Sequence, residues 1–272
     1  MKLLDFLKGD PASDGSWTFN LGRELHGAFG GANGGVVGAT CLAAARSVAE
    51  GRVPASLDVR FIRGLTEGEA LVTPTVLHTG RTLSVVSVDI LDSHEKLCTR
   101  ATVSLADPGA LEPLDYTAPV VPGGLADYEA GKPWAKPASG VEVPLIETFQ
   151  PRLVGNTEAG LSTEIKVLWQ EPGTCAEAAC IVADISVGPP VGAYVRSKPI
   201  PIPNPDLTLR FCSNMDLPAT VVSTCRLEGV FQGIASTHMT VHTGDTLLAV
   251  GVSTTTLLKG NWPDARKSKN QK

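Results

Sequence analysis

The sequence has few of the features that mark nucleic-acid-binding, secreted or membrane proteins. Lys and Arg number 23 against 28 Asp and Glu, which gives a net charge of −5 without a long basic run that could neutralise phosphates. Asp5 and Lys8 interrupt the apolar residues at the start, and nowhere do about 18 apolar residues run together. We therefore expect a soluble, cytoplasmic protein that has no nucleic-acid partner and no membrane association.

Common nucleotide-binding, metal-binding and catalytic motifs are also missing. The six cysteines form no C-x-x-C pair and are spread along a long chain, which predicts buried thiols rather than a zinc site or disulfides. The Gly-rich passage at 27–38 does not fit G-x-G-x-x-G, and neither the P-loop motif nor G-x-S-x-G occurs. We therefore expect no cofactor and no metal.

The first half of the chain predicts one helix and an antiparallel sheet. A strand is expected over 16–21, and the Gly-rich passage leads into a helix over 36–50 that Gly51 would end. Four runs with β-type patterning follow, at 56–63, 69–79, 82–91 and 96–105. A single helix beside a meander indicates an α+β fold in which the helix covers one face of the sheet.

The second half repeats this order after a stretch that contains seven prolines. A strand is expected over 162–170, a helix over 174–185, and four more strands after it. Phe61 and Phe211 are 150 residues apart, as are Leu97 and Leu247. This constant spacing indicates a tandem duplication.

The repeat predicts where the units begin and end. We expect an N-terminal unit at 1–107, a Pro-rich linker at 108–144, a C-terminal unit at 145–262 and a basic tail at 263–272.

Several short motifs occur in the order known from one enzyme family. They are Phe29-Gly30-Gly31, Gly35-Val36-Val37-Gly38, Arg60-Phe61 and Gly80-Arg81-Thr82. With the repeat, they resemble the double-hotdog acyl-CoA thioesterase II family. The resemblance implies a tandem double hotdog, in which two antiparallel sheets each wrap one long helix and join edge to edge, with acyl-CoA lying along the seam.

The resemblance also implies a site for thioester hydrolysis without a covalent nucleophile. In that family an Asp on the second helix, a Thr before the next strand and a Gln on the last strand hold and activate a water. These positions fall on Asp184, Asn204 and Ser253 here, so that Asn and Ser replace the family's Thr and Gln. Thr208, Thr254 and Thr255 are substitutes if the alignment slips.

Asp184 has apolar neighbours, which predicts a carboxylate that is buried and is either paired or poised with a raised pKa. The position 150 residues earlier is Gly34, so only the C-terminal unit is expected to carry the acid. His26, in the loop before the first helix, is a second acid/base candidate.

The sequence leaves three functions open. The first is hydrolysis of acyl-CoA or a related acyl thioester by an Asp-activated water. The second is acyl-CoA binding without hydrolysis, since two of the three site positions differ from the family pattern. The third is a hydratase or dehydratase, for which the usual D-x-N-P-x-H signature is missing. Because open sheet edges favour pairing and the family commonly assembles, we also expect a homo-oligomer.

Overall fold

The computed structural model describes residues 1–66, 68–114, 116, 118, 124–134, 142–195 and 200–260. Its helices are α1 (Leu3–Leu7), α2 (Gly34–Ser47), α3 (Pro144–Phe149) and α4 (Cys175–Tyr194). Its strands are β1 (Gly9–Pro11), β2 (Trp17–Asn20), β3 (Val53–Phe61), β4 (Glu69–Thr79), β5 (Leu83–Leu91), β6 (Leu97–Ala106), β7 (Lys132–Pro133), β8 (Arg152–Thr157), β9 (Gly160–Lys166), β10 (Asp206–Phe211), β11 (Thr220–Phe231), β12 (Ile234–Thr243) and β13 (Thr246–Thr256).

The strands form one continuous antiparallel sheet. Their order is β1-β2-β4-β5-β6-β3-β10-β13-β12-β11-β9-β8-β7. At the centre β3 pairs with β10 in a register that runs from Ser56 opposite Arg210 to Arg60 opposite Asp206. The order on one side of this pair mirrors the order on the other side. The expected tandem double hotdog, joined edge to edge, is confirmed.

The two long helices lie on the same face of the sheet and pack against each other. Helix α2 contacts β3 to β6, and α4 contacts β9 and β11 to β13. Small residues allow this close packing, since Gly35 and Gly38 of α2 lie against Cys180 of α4. Helix α4 is long and apolar enough to cross a membrane, but 78% of its apolar 18-residue window is buried inside the protein, as is common for a core helix.

Some predicted boundaries are wrong. Helix α2 occupies 34–47 rather than 36–50, and Gly51, with φ of 74°, lies in the turn beyond it. Helix α4 continues through Pro189 and Pro190 to Tyr194 instead of ending at 185, because Val187 and Val191 keep its later turns buried. Strand β9 ends at Lys166 rather than at 170.

Five of the six cysteines are buried and all six are free thiols, but Cys212 is exposed. The expectation of buried thiols is therefore wrong at this one position. Along β10 the odd positions Leu207 and Leu209 face the core, whereas Arg210 is exposed. Cys212 continues the outward-facing series, which explains its exposure.

The predicted domain boundaries stay a prediction. Within the proposed linker, the described residues include the short strand β7, which pairs with β8. The predicted basic tail, 263–272, lies outside the described residues.

An ion pair joins the two long helices across the units. Glu177 of α4 is fully buried, and its Oε1 accepts a hydrogen bond from Arg46 of α2 at 2.8 Å. Burial raises the pKa of Glu177, while the Arg46 guanidinium opposes that change. Arg46 therefore neutralises a charge that the protein interior would otherwise disfavour.

Replacing Arg46 with Met is expected to lower the free energy of unfolding by about 3 kcal/mol, because Glu177 then remains buried without its counter-charge. Urea denaturation at pH 7 measures the change. Adding Glu177→Gln to Arg46→Met should recover most of the loss, since it removes the unpaired charge. An Arg46→Met variant as stable as the wild type would contradict this account.

Candidate active site

Asp184 lies midway along α4, on the side of the helix that faces the N-terminal end of α2. Its exposed fraction is 7%, so the carboxylate is buried as the apolar neighbours predicted. The site is therefore built between the two units, with the acid supplied by the second of them.

Two asparagine side chains hold the Asp184 carboxylate. Asn204, just before β10, donates from Nδ2 to Oδ1 at 2.6 Å. Asn33, just before α2, donates from Nδ2 to Oδ2 at 2.6 Å. Each carboxylate oxygen thus has an amide donor, one from each half of the chain.

Asn33 has a second role as the N-cap of α2. Its Oδ1 accepts hydrogen bonds from the backbone N–H groups of Gly35 at 3.0 Å and Val36 at 3.3 Å. The cap fixes the orientation of the amide, so that only Nδ2 is free to face Asp184. Asn33 is not among the residues predicted for the site, and it lies three residues before the predicted helix start at 36, although an Asn ahead of a helix is a common capping signal.

Glycines at the start of α2 allow the two helices to approach at this point. A Cβ on Gly34 would lie 2.7 Å from Asp184 Oδ1, and a Cβ on Gly35 would lie 2.5 Å from the Cys180 carbonyl oxygen. Gly34 is thus a contact of Asp184 and not its counterpart in the first unit. The 150-residue spacing fails for the helices because α2 and α4 begin 141 residues apart. Helix α2 itself contains no acidic residue, so among the two long helices the site acid belongs to the second unit alone.

Burial raises the pKa of the Asp184 carboxyl above its ordinary value. Hydrogen bonds oppose this change in the order Asn204, the Gly35 backbone, Asn33 and the Gly34 backbone, since each favours the charged form. The positive end of the α2 dipole acts in the same direction. The result is a carboxylate that is poised to accept a proton and is held in one orientation.

Ser253 is buried on β13, but its hydroxyl is used elsewhere. Its Oγ donates to the Asp206 carbonyl oxygen at 2.7 Å and lies 3.3 Å from the Thr254 carbonyl oxygen. Asn204 hydrogen-bonds Asp184, whereas the Ser253 hydroxyl bonds the backbone of Asp206 instead. The catalytic role of Asp184, Asn204 and Ser253 stays a prediction.

The substitute threonines differ in their surroundings. Thr208 is half-buried on β10, and the backbone N–H of Thr254 donates to Asp206 Oδ1 at 2.7 Å. Thr255 is fully buried, and its hydroxyl oxygen finds no hydrogen-bond partner in the part of the chain that the structure describes.

His26 lies beside a separate polar cavity of 440 Å³, which is also lined by Arg23, Gly30, Thr66 and Glu142. His26 is 4% exposed, and its Nε2 lies 3.1 Å from the Leu21 carbonyl oxygen. No hydrogen bond joins His26 to Asp184 among the described residues, so the structure does not bring these two acid/base candidates together.

Two ion pairs cross the seam between β3 and β10. Arg60 contacts Asp206 at 2.5 Å, and Arg210 contacts Asp58 at 3.2 Å. Since Asp206 also accepts from Thr254 N–H, this seam connects to the segment that carries Asn204.

The comparisons with known proteins agree with this architecture. Residues 23–106 match the family model described as the acyl-CoA thioesterase N-terminal domain. None of the curated proteins compared with the chain matches it.

Solved structures resemble the chain over nearly its whole length. A hot dog fold protein of Alicyclobacillus acidocaldarius has a TM-score of 0.77 at 18% identity, and the match covers 96% of this chain and 99% of that chain. The tesB protein of Mycobacterium avium subspecies paratuberculosis has a TM-score of 0.75 at 16% identity, with 94% and 97% covered. The acyl-CoA thioesterase II TesB2 of Mycobacterium marinum has a TM-score of 0.71 at 14% identity, with 94% and 97% covered. At these identities the likeness concerns the fold.

Proposed function

We propose that this chain hydrolyses acyl-CoA or a related acyl thioester to free acid and thiol. The premise is its TesB-like double-hotdog fold, together with the match of residues 23–106 to an acyl-CoA thioesterase N-terminal domain. The family match supports thioesterase activity in general. The mechanism and the residues named below are our proposal. A cytoplasmic location, a place in fatty acid metabolism and a homo-oligomeric state belong to the same proposal.

In the proposed reaction the Asp184 carboxylate accepts a proton from a water molecule. The oxygen of that water forms a bond to the thioester carbonyl carbon, and the C–S bond then breaks. The proton passes to the departing sulfur, which leaves as a thiol. A positioned carboxylate suffices for this chemistry because a thioester carbonyl is already reactive towards an activated water.

One observation carries the proposal: a single buried carboxylate is held by amide donors from both units. Asn204 and Asn33 fix its two oxygens at 2.6 Å each. A surface carboxylate would be solvated and would need no such support, whereas a general base benefits from a fixed orientation. Asn204 can also present its oxygen to a water, which makes it the second proposed site residue.

The direct test is a panel of acyl-CoA thioesters of increasing chain length, assayed for release of free CoA thiol. The proposal expects turnover of at least one thioester well above the rate without protein. If every thioester on the panel stays intact, hydrolysis of acyl-CoA is excluded.

The pH dependence of hydrolysis should report the Asp184 carboxyl. Because burial raises its pKa above the ordinary 3.8, kcat/KM is expected to fall as the pH is lowered through that raised value, with the slope of a single protonation. Circular dichroism at each pH separates this effect from unfolding. A constant kcat/KM down to pH values near 4, with the fold intact, would contradict the assignment of Asp184 as the base.

A second candidate function is acyl-CoA binding without hydrolysis. The specific observation in its favour is that the Ser253 hydroxyl is occupied by the Asp206 carbonyl oxygen at 2.7 Å. Calorimetric binding of an acyl-CoA without thiol release would support this alternative.

A further inference from the structure

The two copies of the repeat differ on the inner face of one strand. By the 150-residue spacing, Val103 and Leu105 of β6 are the equivalents of Ser253 and Thr255 of β13. All four side chains are buried, with exposed fractions between 0% and 3%. The unit without the acid therefore has aliphatic side chains where the unit with the acid has hydroxyl groups.

The neighbouring strands show the same change. Val86 pairs with Val103 in the first unit, and Thr237 pairs with Ser253 in the second. The first unit demonstrates that a valine pair fills this position in the fold. The hydroxyl groups of the second unit are therefore not required for folding. Burying a hydroxyl group lowers the stability of the fold unless the group finds a hydrogen-bond partner.

Two of these hydroxyl groups bond the protein backbone and one does not. Thr237 Oγ1 donates to the Ser253 carbonyl oxygen at 3.0 Å, and Ser253 Oγ donates to the Asp206 carbonyl oxygen at 2.7 Å. Thr255 Oγ1 is buried and without a partner among the described residues. Thr255 thus retains a free hydrogen-bonding group at a fully buried position.

Backbone contacts place Thr255 beside the segment that holds Asp184. The N–H of Thr256 donates to the Pro203 carbonyl oxygen at 2.9 Å, and the N–H of Thr254 donates to Asp206 Oδ1 at 2.7 Å. Asn204, whose amide bonds Asp184, lies between these two anchoring residues.

The α2 side of Asp184 is closed, because a Cβ on Gly34 would lie 2.7 Å from Asp184 Oδ1 and from the Phe61 ring. A substrate whose reacting carbonyl lies at Asp184 must therefore direct its acyl group away from α2. Strand β13, which carries Thr255, belongs to the unit that carries the acid and packs against α4.

We propose that Thr255 is a specificity-determining residue that hydrogen-bonds an oxygen on the acyl group, so that the preferred substrates are acyl thioesters with a hydroxyl or keto oxygen near the thioester. This inference rests on the proposed hydrolysis. The Thr237 and Ser253 hydroxyl groups bond the backbone, and Thr255 supplies the free donor and acceptor.

The test compares 3-hydroxybutanoyl-CoA with butanoyl-CoA, which differ by one hydroxyl group. The wild type is expected to have a kcat/KM roughly tenfold higher for the hydroxylated thioester, as one added hydrogen bond would give. Thr255→Val should reduce the ratio to about 1, and Thr255→Ser should retain it because the hydroxyl remains. Thr99→Val is the matched control, since Thr99 is buried on β6 in the unit without the acid.

The outcomes separate this inference from the proposed function. Hydrolysis of both thioesters at equal kcat/KM, or a ratio that Thr255→Val leaves unchanged, overturns the role of Thr255 and leaves thioesterase activity in place. If neither thioester is hydrolysed, the proposed hydrolysis fails for both. Calorimetric affinities of the same two thioesters for the wild type and Thr255→Val then decide the role of Thr255, with a lost preference supporting it and an unchanged one overturning it.

Discussion

Replacing Asp184 with Asn is expected to lower kcat for acyl-CoA hydrolysis by about 10²–10⁴-fold, because the variant lacks the carboxylate that accepts the proton from water. The fold should persist. Burial raises the pKa of Asp184, so its charged form costs stability once the pH exceeds that raised value. At pH 7 a neutral side chain avoids this cost. Thiol-release kinetics and thermal unfolding of the same preparation measure both properties.

Glu177→Gln is the matched control for Asp184→Asn. Glu177 is also a buried acid of α4 and lies two turns earlier, but it pairs with Arg46 and not with the asparagines. Its replacement should leave the kcat of the folded protein within about twofold, since the general-base contribution is untouched. An Asp184→Asn variant that hydrolyses as fast as Glu177→Gln would remove Asp184 from the mechanism.

Replacing Gly35 with Ala is expected to lower the free energy of unfolding by roughly 3 kcal/mol, because the added methyl group forces two packed helices apart. The new Cβ would lie 2.5 Å from the Cys180 carbonyl oxygen and 2.7 Å from the Ile181 Cα, and neither backbone atom can move without shifting α4. Hydrolysis should fall as well, since Asp184 is carried by the displaced helix. Urea denaturation and kcat measure the two effects.

Gly192→Ala is the control for Gly35→Ala. Gly192 also lies in a long helix, but in the part of the chain that the structure describes nothing outside its own helix backbone lies within 4 Å of the position its Cβ would take. Alanine should therefore stabilise the protein by about 0.5–1 kcal/mol through its higher helix propensity. Equal effects of the two substitutions would contradict the close approach of α2 and α4.

The strands could be predicted well because their signal is local. The alternation of buried and half-buried residues in β5 is present in the sequence itself, and β4 was predicted with the boundaries that the structure has. The pairing of β3 with β10 depended on the repeat and the family resemblance, since no local pattern specifies which edges join.

The helices show where local signals are insufficient. Pro189 and Pro190 indicate a helix end, yet α4 continues because the packing of Val187 and Val191 outweighs the missing backbone donors. The 150-residue spacing also fails there, because α4 has 20 residues against 14 in α2 and because the stretch from helix to next strand is longer, 195–205 against 48–52.

The site was predicted only in part, because local sequence signals indicate some of its contacts and not those between distant residues. The apolar neighbours of Asp184 indicate its burial, and its contact with Asn204 spans only 20 residues. Asn33 lies 151 residues away from Asp184, so its sequence signal concerns only the cap of α2. The engagement of the Ser253 hydroxyl with the Asp206 carbonyl oxygen depends on strand register and could not be derived from residue type.

The most direct test of the account is the pH dependence of kcat/KM in Asn33→Ser compared with the wild type. Serine keeps the cap of α2 but is too short to offer an amide to Asp184, so the variant removes one donor to the charged carboxylate. The pKa of Asp184 should then rise further, and the acidic limb of the profile should move to higher pH. An acidic limb at the same pH in both proteins would show that the titrating base is not the carboxylate held between the two units.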